Sequence, residues 1–247
     1  MSSRPAERLL IIVPAWNEQI TLPGVIAEIG AALPHAEVLV VNDGSSDQTA
    51  AAAAKSGAMV LDLPVNLGVG GAMRAGYKFA LRNGFDRTVQ LDADGQHDPR
   101  DVPKLLDALD AAGVNIVIGA RFAGTGTYRA RGPRLWSMKL LSTILSRVTK
   151  TRLTDTTSGF KACDRSAIQL FASNYPAEYL GDTVEALVIA ARAGLTVRQV
   201  GVEMRPRAGG TASHSPLKAG IFLLRAFLAL VIALSRPSEP LEPETAA

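Results

Sequence analysis

Along the first half of the chain, short apolar runs alternate with stretches whose apolar positions recur every three to four residues. That is the signature of repeated strand–helix–strand units around a mostly parallel sheet. Residues 9–13, 38–41, 59–61, 88–91 and 116–118 read as strands. Between the first two, residues 20–33 keep helical spacing until Pro34 stops them, residues 50–55 form a short Ala-rich helix, and residues 71–82 a longer one. Residues 178–193 and 196–202 then supply a last helix and strand. The fold class expected is α/β, with helices flanking the sheet. The polar clusters fall just beyond the carboxyl ends of the strands, the edge of an open α/β sheet where ligands bind.

The rhythm changes after Arg121. A Gly-rich loop, 122–132, leads into a helix over 133–148, with Leu141, Ile144, Leu145 and Val148 on one face and Lys139 and Arg147 elsewhere around it. A basic amphipathic helix suits a membrane surface, and equally a domain that packs it with its cations outward. Residues 219–234 are almost wholly apolar apart from Arg225. Sixteen residues of helix reach about 24 Å, short of the roughly 30 Å hydrocarbon core, so this segment is expected to lie in the interface or to bind a partner, possible partners including a small membrane protein. The domain division expected is 1–216 for a catalytic domain, 217–236 for this C-terminal apolar helix and 237–247 for a disordered Pro/Glu tail.

Composition adds three constraints. With 247 residues, 47% hydrophobic and 20% charged, the chain has enough core for one α/β domain with additions. The net charge of +3 is unevenly spread: residues 111–154 hold no Asp or Glu, yet carry Arg121, Arg129, Arg131, Arg134, Lys139, Arg147, Lys150 and Arg152, a place for something anionic. One cysteine, Cys163, excludes an internal disulfide and a thiolate metal cluster, which points to a reducing compartment. Residues 1–8 are polar and run straight into a strand, so no signal peptide is expected. The expected location is the cytoplasm, at the inner membrane surface, with no nucleic-acid partner.

The chemistry begins at Leu91-Asp92-Ala93-Asp94-Gly95-Gln96-His97-Asp98-Pro99. Two carboxylates one residue apart at a strand's end can hold a divalent cation and leave sites open for phosphate oxygens. Such an ion offsets the charge of a departing diphosphate. Pro14-Ala15-Trp16-Asn17-Glu18 ends the first strand and Asn42-Asp43-Gly44-Ser45-Ser46-Asp47 the second, so three acidic clusters share one sheet edge. Asp43 can accept hydrogen bonds from a base or ribose, and Ser46 or Asp47 can cap the next helix. Asn66-Leu67-Gly68-Val69-Gly70-Gly71 is not a clean dinucleotide fingerprint, and reads better as a helix N-terminus near a nucleotide.

Taken together, these motifs, with Asp155-x-x-Ser158-Gly159-Phe160 and the Arg205–Ser213 loop, resemble family 2 glycosyltransferases, in the branch of dolichol-phosphate mannosyltransferase and the bacterial polyprenyl-phosphate glycosyltransferases. The resemblance runs from about residue 9 to 213. It implies a GT-A fold, a Rossmann-like sheet, and inverting transfer of a hexose from a GDP- or UDP-sugar to a polyprenyl phosphate. Carried onto this sequence, it places Pro14, Ala15, Asn17, Glu18, Asp43, Gly70, Asp92 and Ala93 at the nucleotide-sugar donor. It places Mg²⁺ or Mn²⁺ on Asp92, Asp94 and Gln96, and Asp155, Ser158 and Gly159 along the sugar site. It makes Asp94, Arg205, Arg207 and Asp182 catalytic, with Arg205 and Arg207 on a mobile loop. A lipid phosphate is already ionised near neutral pH and needs cations to orient it more than a base. Arg121, Arg131, Arg134 and Ser142 are the candidates for that grip, although the Arg-to-Ser spacing departs from the family pattern. Two rival readings stay open: a saccharide acceptor, with Asp182 or Glu185 as base, and a catalytically idle nucleotide-sugar-binding partner of a membrane protein.

Overall fold

The computed structural model describes residues 7–111, 113–120, 133–156, 158–177 and 182–205, with the backbone alone for 133–139 and 182. Strands β1 (Leu9–Ala15), β2 (Glu37–Asp43), β3 (Met59–Leu63), β4 (Arg87–Gln90), β5 (Ile116–Ala120), β6 (Lys161–Cys163) and β7 (Val197–Gly201) form one sheet in the order β3-β2-β1-β4-β6-β5-β7. Every pairing is parallel except the two made by β6, which runs against both β4 and β5.

Alternation along each strand feeds two cores. Leu10 and Ile12 of β1, Leu39 and Val41 of β2, and Ile116 and Ile118 of β5 face one side. There they meet α3 (Gly68–Arg82), α5 (Pro133–Val148), α6 (Arg165–Asn174) and α7 (Asp182–Arg192). Ile11, Val13, Val40 and Val117 face the other side, against α1 (Leu22–Ala32), α2 (Thr49–Lys55) and α4 (Val102–Leu109). Because both faces are covered, the central strands read as unbroken apolar runs rather than alternating ones. Gly76 of α3 allows the closest helix–sheet approach: a Cβ there would stand 2.7 Å from Ile12 Cγ2.

Three elements were not anticipated. β6 is only three residues long and begins on a buried lysine, which no strand pattern predicts. α6 starts at Asp164, whose carboxylate accepts from the Ala167 amide at 2.9 Å, an N-cap visible in the sequence. α4 buries Val102, Leu105 and Leu109, an i, i+3, i+7 stripe also visible there. Boundaries moved as well. The first helix begins at Leu22, not residue 20, and the third at Gly68, not residue 71. The last helix is described from Asp182.

The helix over 133–148 is present, and its apolar face is not free for a membrane. Leu141 and Leu145 are buried in the domain core, and Ile144 and Val148 pack against it. That corrects the membrane-surface alternative for this face: its neighbours are residues of its own domain. Among the described residues no helix is long and apolar enough to cross a membrane. The apolar segment 219–234 and the tail 237–247 lie outside the described residues.

Candidate active site

The strand order reverses between β1 and β4: the chain moves outward from β1 through β2 to β3, then returns to the opposite side of β1. At such a switch point the loops leaving the two strands diverge and open a crevice. The loop after β1 carries Asn17 and Glu18, and the loop after β4 carries Asp92 and Asp94. The site follows from the topology before any side chain is considered.

On the β1–β2 side the loops are tied together. Asn17 takes a left-handed φ of 56°. Its amide donates to Ser45 Oγ at 2.9 Å, and its Oδ1 accepts from the Ser46 amide at 2.9 Å. Ser45 Oγ donates to Asn42 Oδ1 at 2.5 Å, and Asn42 Nδ2 reaches Asp62 Oδ1 at 2.6 Å. Glu18 is held through its amide to Thr49 Oγ1 and through its carboxylate, which accepts from Thr21 Oγ1 at 2.6 Å. Asp47, rather than Ser46, bonds into the first turn of α2, through the Thr49 amide and hydroxyl.

Asp43 is buried and accepts from the Leu67 amide at 2.7 Å. Burial raises its pKa above the ordinary carboxylate value, while the amides of Leu67 and Gly68 pull it back. The carboxylate therefore also caps α3, so Leu67 and Gly68 at that N-terminus already face an anion supplied by the chain. Gly70 is buried inside the first turn of α3.

On the β4 side, Asp92 and Asp94 sit in the turn after the strand, with Ala93 buried between them. Asp92 is partly exposed, its side chain at 38%. Asp94 is 8% exposed and accepts from the Gln96 amide at 3.0 Å, across the left-handed Gly95. His97 is the residue that sequence reasoning undervalued. It is buried, stacks on Phe160 at 5.0 Å between ring centroids, and accepts the Asp92 amide on Nδ1 at 3.1 Å. With Nδ1 an acceptor, the ring proton of the neutral imidazole is on Nε2, 3.7 Å from Asp92 Oδ2. His97 thus buttresses the carboxylate turn from within. Gly119 makes room for this stack, since a Cβ there would meet Phe160 at 2.7 Å.

The segment entering β6 closes the crevice. Ser158 and Asp155 are buried, with the Asp155 carbonyl accepting from Gln199 Nε2 at 2.5 Å. Gly159 lies directly against the Asp92 carboxylate. Lys161, 3% exposed, donates to the Tyr175 hydroxyl at 2.6 Å, and its ammonium lies 4.9 Å from the Tyr175 ring centroid. Two residues along the same strand, burial pushes the Cys163 thiol up to about 11, so it is no nucleophile at neutral pH.

Arg205 sits beside the carboxylate turn, held by other residues. Its amide donates to the Gln96 carbonyl at 3.0 Å, and its guanidinium pairs with Asp98 at 2.7 Å and Glu28 at 2.5 Å. Hydrogen bonds from Arg100, then from Arg205, hold Asp98 well below the usual carboxylate range. A depressed carboxylate pKa contributes stability that is present above the unfolded value and lost as the pH falls. Asp98→Asn is accordingly expected to cost about 1 kcal/mol at neutral pH and progressively less below about pH 4. Urea unfolding of both proteins at pH 7 and pH 3 checks this; an equal difference at both would remove the ion pair as its source.

Of the remaining candidates, Ser142 turns its hydroxyl onto the Leu153 carbonyl, so its one donor is engaged within the chain. Glu185 is buried on α7. Arg121, Arg131 and Arg207 lie outside the described residues, as do the side chains of Arg134 and Asp182.

Among the described residues no group of three or more His, Cys, Asp and Glu side chains could hold a metal by itself. A pair of carboxylates is instead a donor set for an ion that takes its other ligands from phosphate oxygens and water.

A mostly parallel α/β sheet with paired carboxylates at its switch point defines the class of Rossmann-like proteins that bind ligands at that edge. Comparison makes this specific. The chain belongs to glycosyl transferase family 2, whose profile matches residues 10–171. It is 35% identical over 174 residues to the polyprenol monophosphomannose synthase of Mycolicibacterium smegmatis, covering 67% of this chain and 65% of that protein. It is 35% identical over 164 residues to the undecaprenyl-phosphate mannosyltransferase of Micrococcus luteus, covering 63% and 65%. In both cases the match spans just under two thirds of the relative's length. Among solved structures, glucosyl-3-phosphoglycerate synthase from Mycobacterium tuberculosis, in complex with Mn²⁺, UDP and phosphoglyceric acid, superposes with a TM-score of 0.70 at 23% identity. That match covers 94% of this chain and 80% of that one, and establishes the GT-A architecture expected from the sequence.

Proposed function

We propose that this protein transfers a hexose from a GDP- or UDP-sugar to a polyprenyl phosphate at the cytoplasmic face of a membrane, with inversion at the anomeric carbon. The observation that carries the reading is the pair Asp92 and Asp94, set at the β1/β4 switch point opposite Asn17, Glu18 and Asp43. Carboxylates so placed repel a bare diphosphate, and accommodate one only with a divalent cation between them. Mg²⁺ or Mn²⁺ bound there would offset the charge that develops on the leaving diphosphate. The names of both mannosyl-transferring relatives support a lipid phosphate acceptor and make mannose the first sugar to test.

In this reading the nucleophile belongs to the substrate. A phosphate oxygen of the acceptor forms a bond to the anomeric carbon as the bond from that carbon to the β-phosphate oxygen breaks. The nucleoside diphosphate leaves carrying the electron pair. No proton has to be removed from the acceptor, which is ionised near neutral pH. Asn17, Glu18 and Asp43 hold the nucleoside end, Asp92 and Asp94 the diphosphate, and Asp155, Ser158 and Gly159 border the sugar. Arg121, Arg131, Arg134 and Arg207 supply the cationic surface for the acceptor phosphate.

The test is to incubate the protein with polyprenyl phosphate in detergent and a panel of GDP- and UDP-hexoses labelled in the sugar. The label of one donor should pass into the organic phase, and only when a divalent cation is present. Label that moves into a water-soluble saccharide would replace the lipid acceptor. Nucleotide binding with no label transfer from any donor would favour an idle binding partner.

A further inference from the structure

Resting on the assignment of Asp92 as a metal ligand, we infer that Gln90 and Gly159 are its positioning residues: together they set the direction in which its carboxylate faces. Gln90 is the last residue of β4 and only 4% exposed. Its Nε2 donates to Asp92 Oδ1 at 3.3 Å. Its Oε1 is also buried and, among the described residues, has no hydrogen-bond partner.

The asymmetry between the two ends of this carboxamide is informative. A buried acceptor without a partner costs on the order of 1–3 kcal/mol, a cost that a leucine of similar volume would avoid. Reversing the amide would not help, because its oxygen would then face the Asp92 carboxylate. What Gln90 contributes that an apolar residue could not is therefore its donor to Asp92.

Gly159 supplies the opposing wall. A Cβ at this position would lie 2.8 Å from Gln90 Nε2, 3.2 Å from Asp92 Oδ1 and 3.3 Å from Asp92 Oδ2. Any side chain there would push either the amide or the carboxylate away. Both parts are anchored to the sheet: Gln90 pairs in register with Lys161 on β6, two residues after Gly159. Asp92 itself is partly exposed and lies beyond the strand, so without this seat its carboxylate keeps only the longer 3.7 Å approach of His97 Nε2 to Oδ2 to direct it. Removing such an orienting partner of a metal ligand typically weakens metal binding 10- to 100-fold.

The experiment measures Mn²⁺ directly, by loss of the free-ion electron paramagnetic resonance signal, with saturating GDP or UDP, whichever the wild-type protein binds. Wild type, Gln90→Leu, Gly159→Ala and Asp92→Asn are compared in full-length protein, each with its thermal unfolding midpoint. The expected result is an Mn²⁺ affinity about 10-fold weaker in Gln90→Leu and in Gly159→Ala. The unfolding midpoint of Gln90→Leu should equal or exceed that of wild type, since the orphan acceptor is gone. In steady state, the metal concentration for half-maximal rate should rise in Gln90→Leu while its kcat at saturating Mn²⁺ stays within about threefold of wild type, a split that a purely structural role would not produce; Gly159→Ala is read by Mn²⁺ affinity alone, because Gly159 also borders the sugar. Wild-type Mn²⁺ affinity in Gln90→Leu, with affinity lost in Asp92→Asn, overturns the inference and leaves the metal assignment standing. Undiminished affinity in Asp92→Asn overturns the metal assignment, and the inference with it. Should Gln90→Leu not fold, Gly159→Ala decides between the same outcomes.

Discussion

Replacing both carboxylates, in an Asp92→Ala, Asp94→Ala double variant, is expected to lower sugar transfer by at least about 1,000-fold while leaving the protein folded. These are the only two carboxylates in the turn between β4 and His97, and so its only anionic ligands for a cation that would balance a diphosphate. Loss of Asp94 also strands the Gln96 amide, at a cost of about 1 kcal/mol, a small fraction of a typical domain's stability. Transfer of labelled sugar, measured beside urea unfolding, separates the two effects. Activity within tenfold of wild type in a folded double variant would remove the diphosphate role from this turn.

The second large effect is expected at Gly44, where Gly44→Ala should cost on the order of 2–3 kcal/mol and weaken nucleotide binding. Gly44 has a φ of +64°, and a Cβ there would stand 2.6 Å from the Asn66 amide nitrogen and 2.6 Å from the Val65 carbonyl carbon. Both obstacles are backbone, so neither can rotate aside. The β3–α3 loop would have to move, and with it the Leu67 amide that holds Asp43. Urea denaturation measures the first consequence and isothermal titration with GDP or UDP the second. An alanine variant matching wild type in both would show that the loop is not held against Gly44 in solution.

The parallel half of the sheet was legible because β1, β2, β4 and β5 are buried on both faces, and burial on both faces writes itself as uninterrupted apolar residues. The acidic turns after β1, β2 and β4 were legible for the same reason, since polar residues immediately after such a run have few places to go but the rim. The antiparallel strand was not. Lys161-Ala162-Cys163 is a strand because β4 and β5 leave a gap of one strand's width between them, and its lysine is tolerated because Tyr175, at the far end of α6, gives the ammonium a partner. Neither fact is local to the sequence. The role of His97 is not local either: it depends on Phe160, which β6 brings under it. The amphipathic helix over 133–148 shows the limit of periodicity. Spacing shows that Leu141, Ile144, Leu145 and Val148 share a face, and is silent on whether that face meets lipid or protein.

Because β6 alone runs backwards, chain both departs from and arrives at the crevice: β4 leaves toward Asp92, while Gly159 comes in to meet it. The Asp92 corner is thereby clamped between two adjacent strands of the sheet's middle and inherits their stiffness. The outer loops are free of that duty. Under the proposed function, the seat of the Asp92 carboxylate would then hold its place independently of sequence changes elsewhere on the rim.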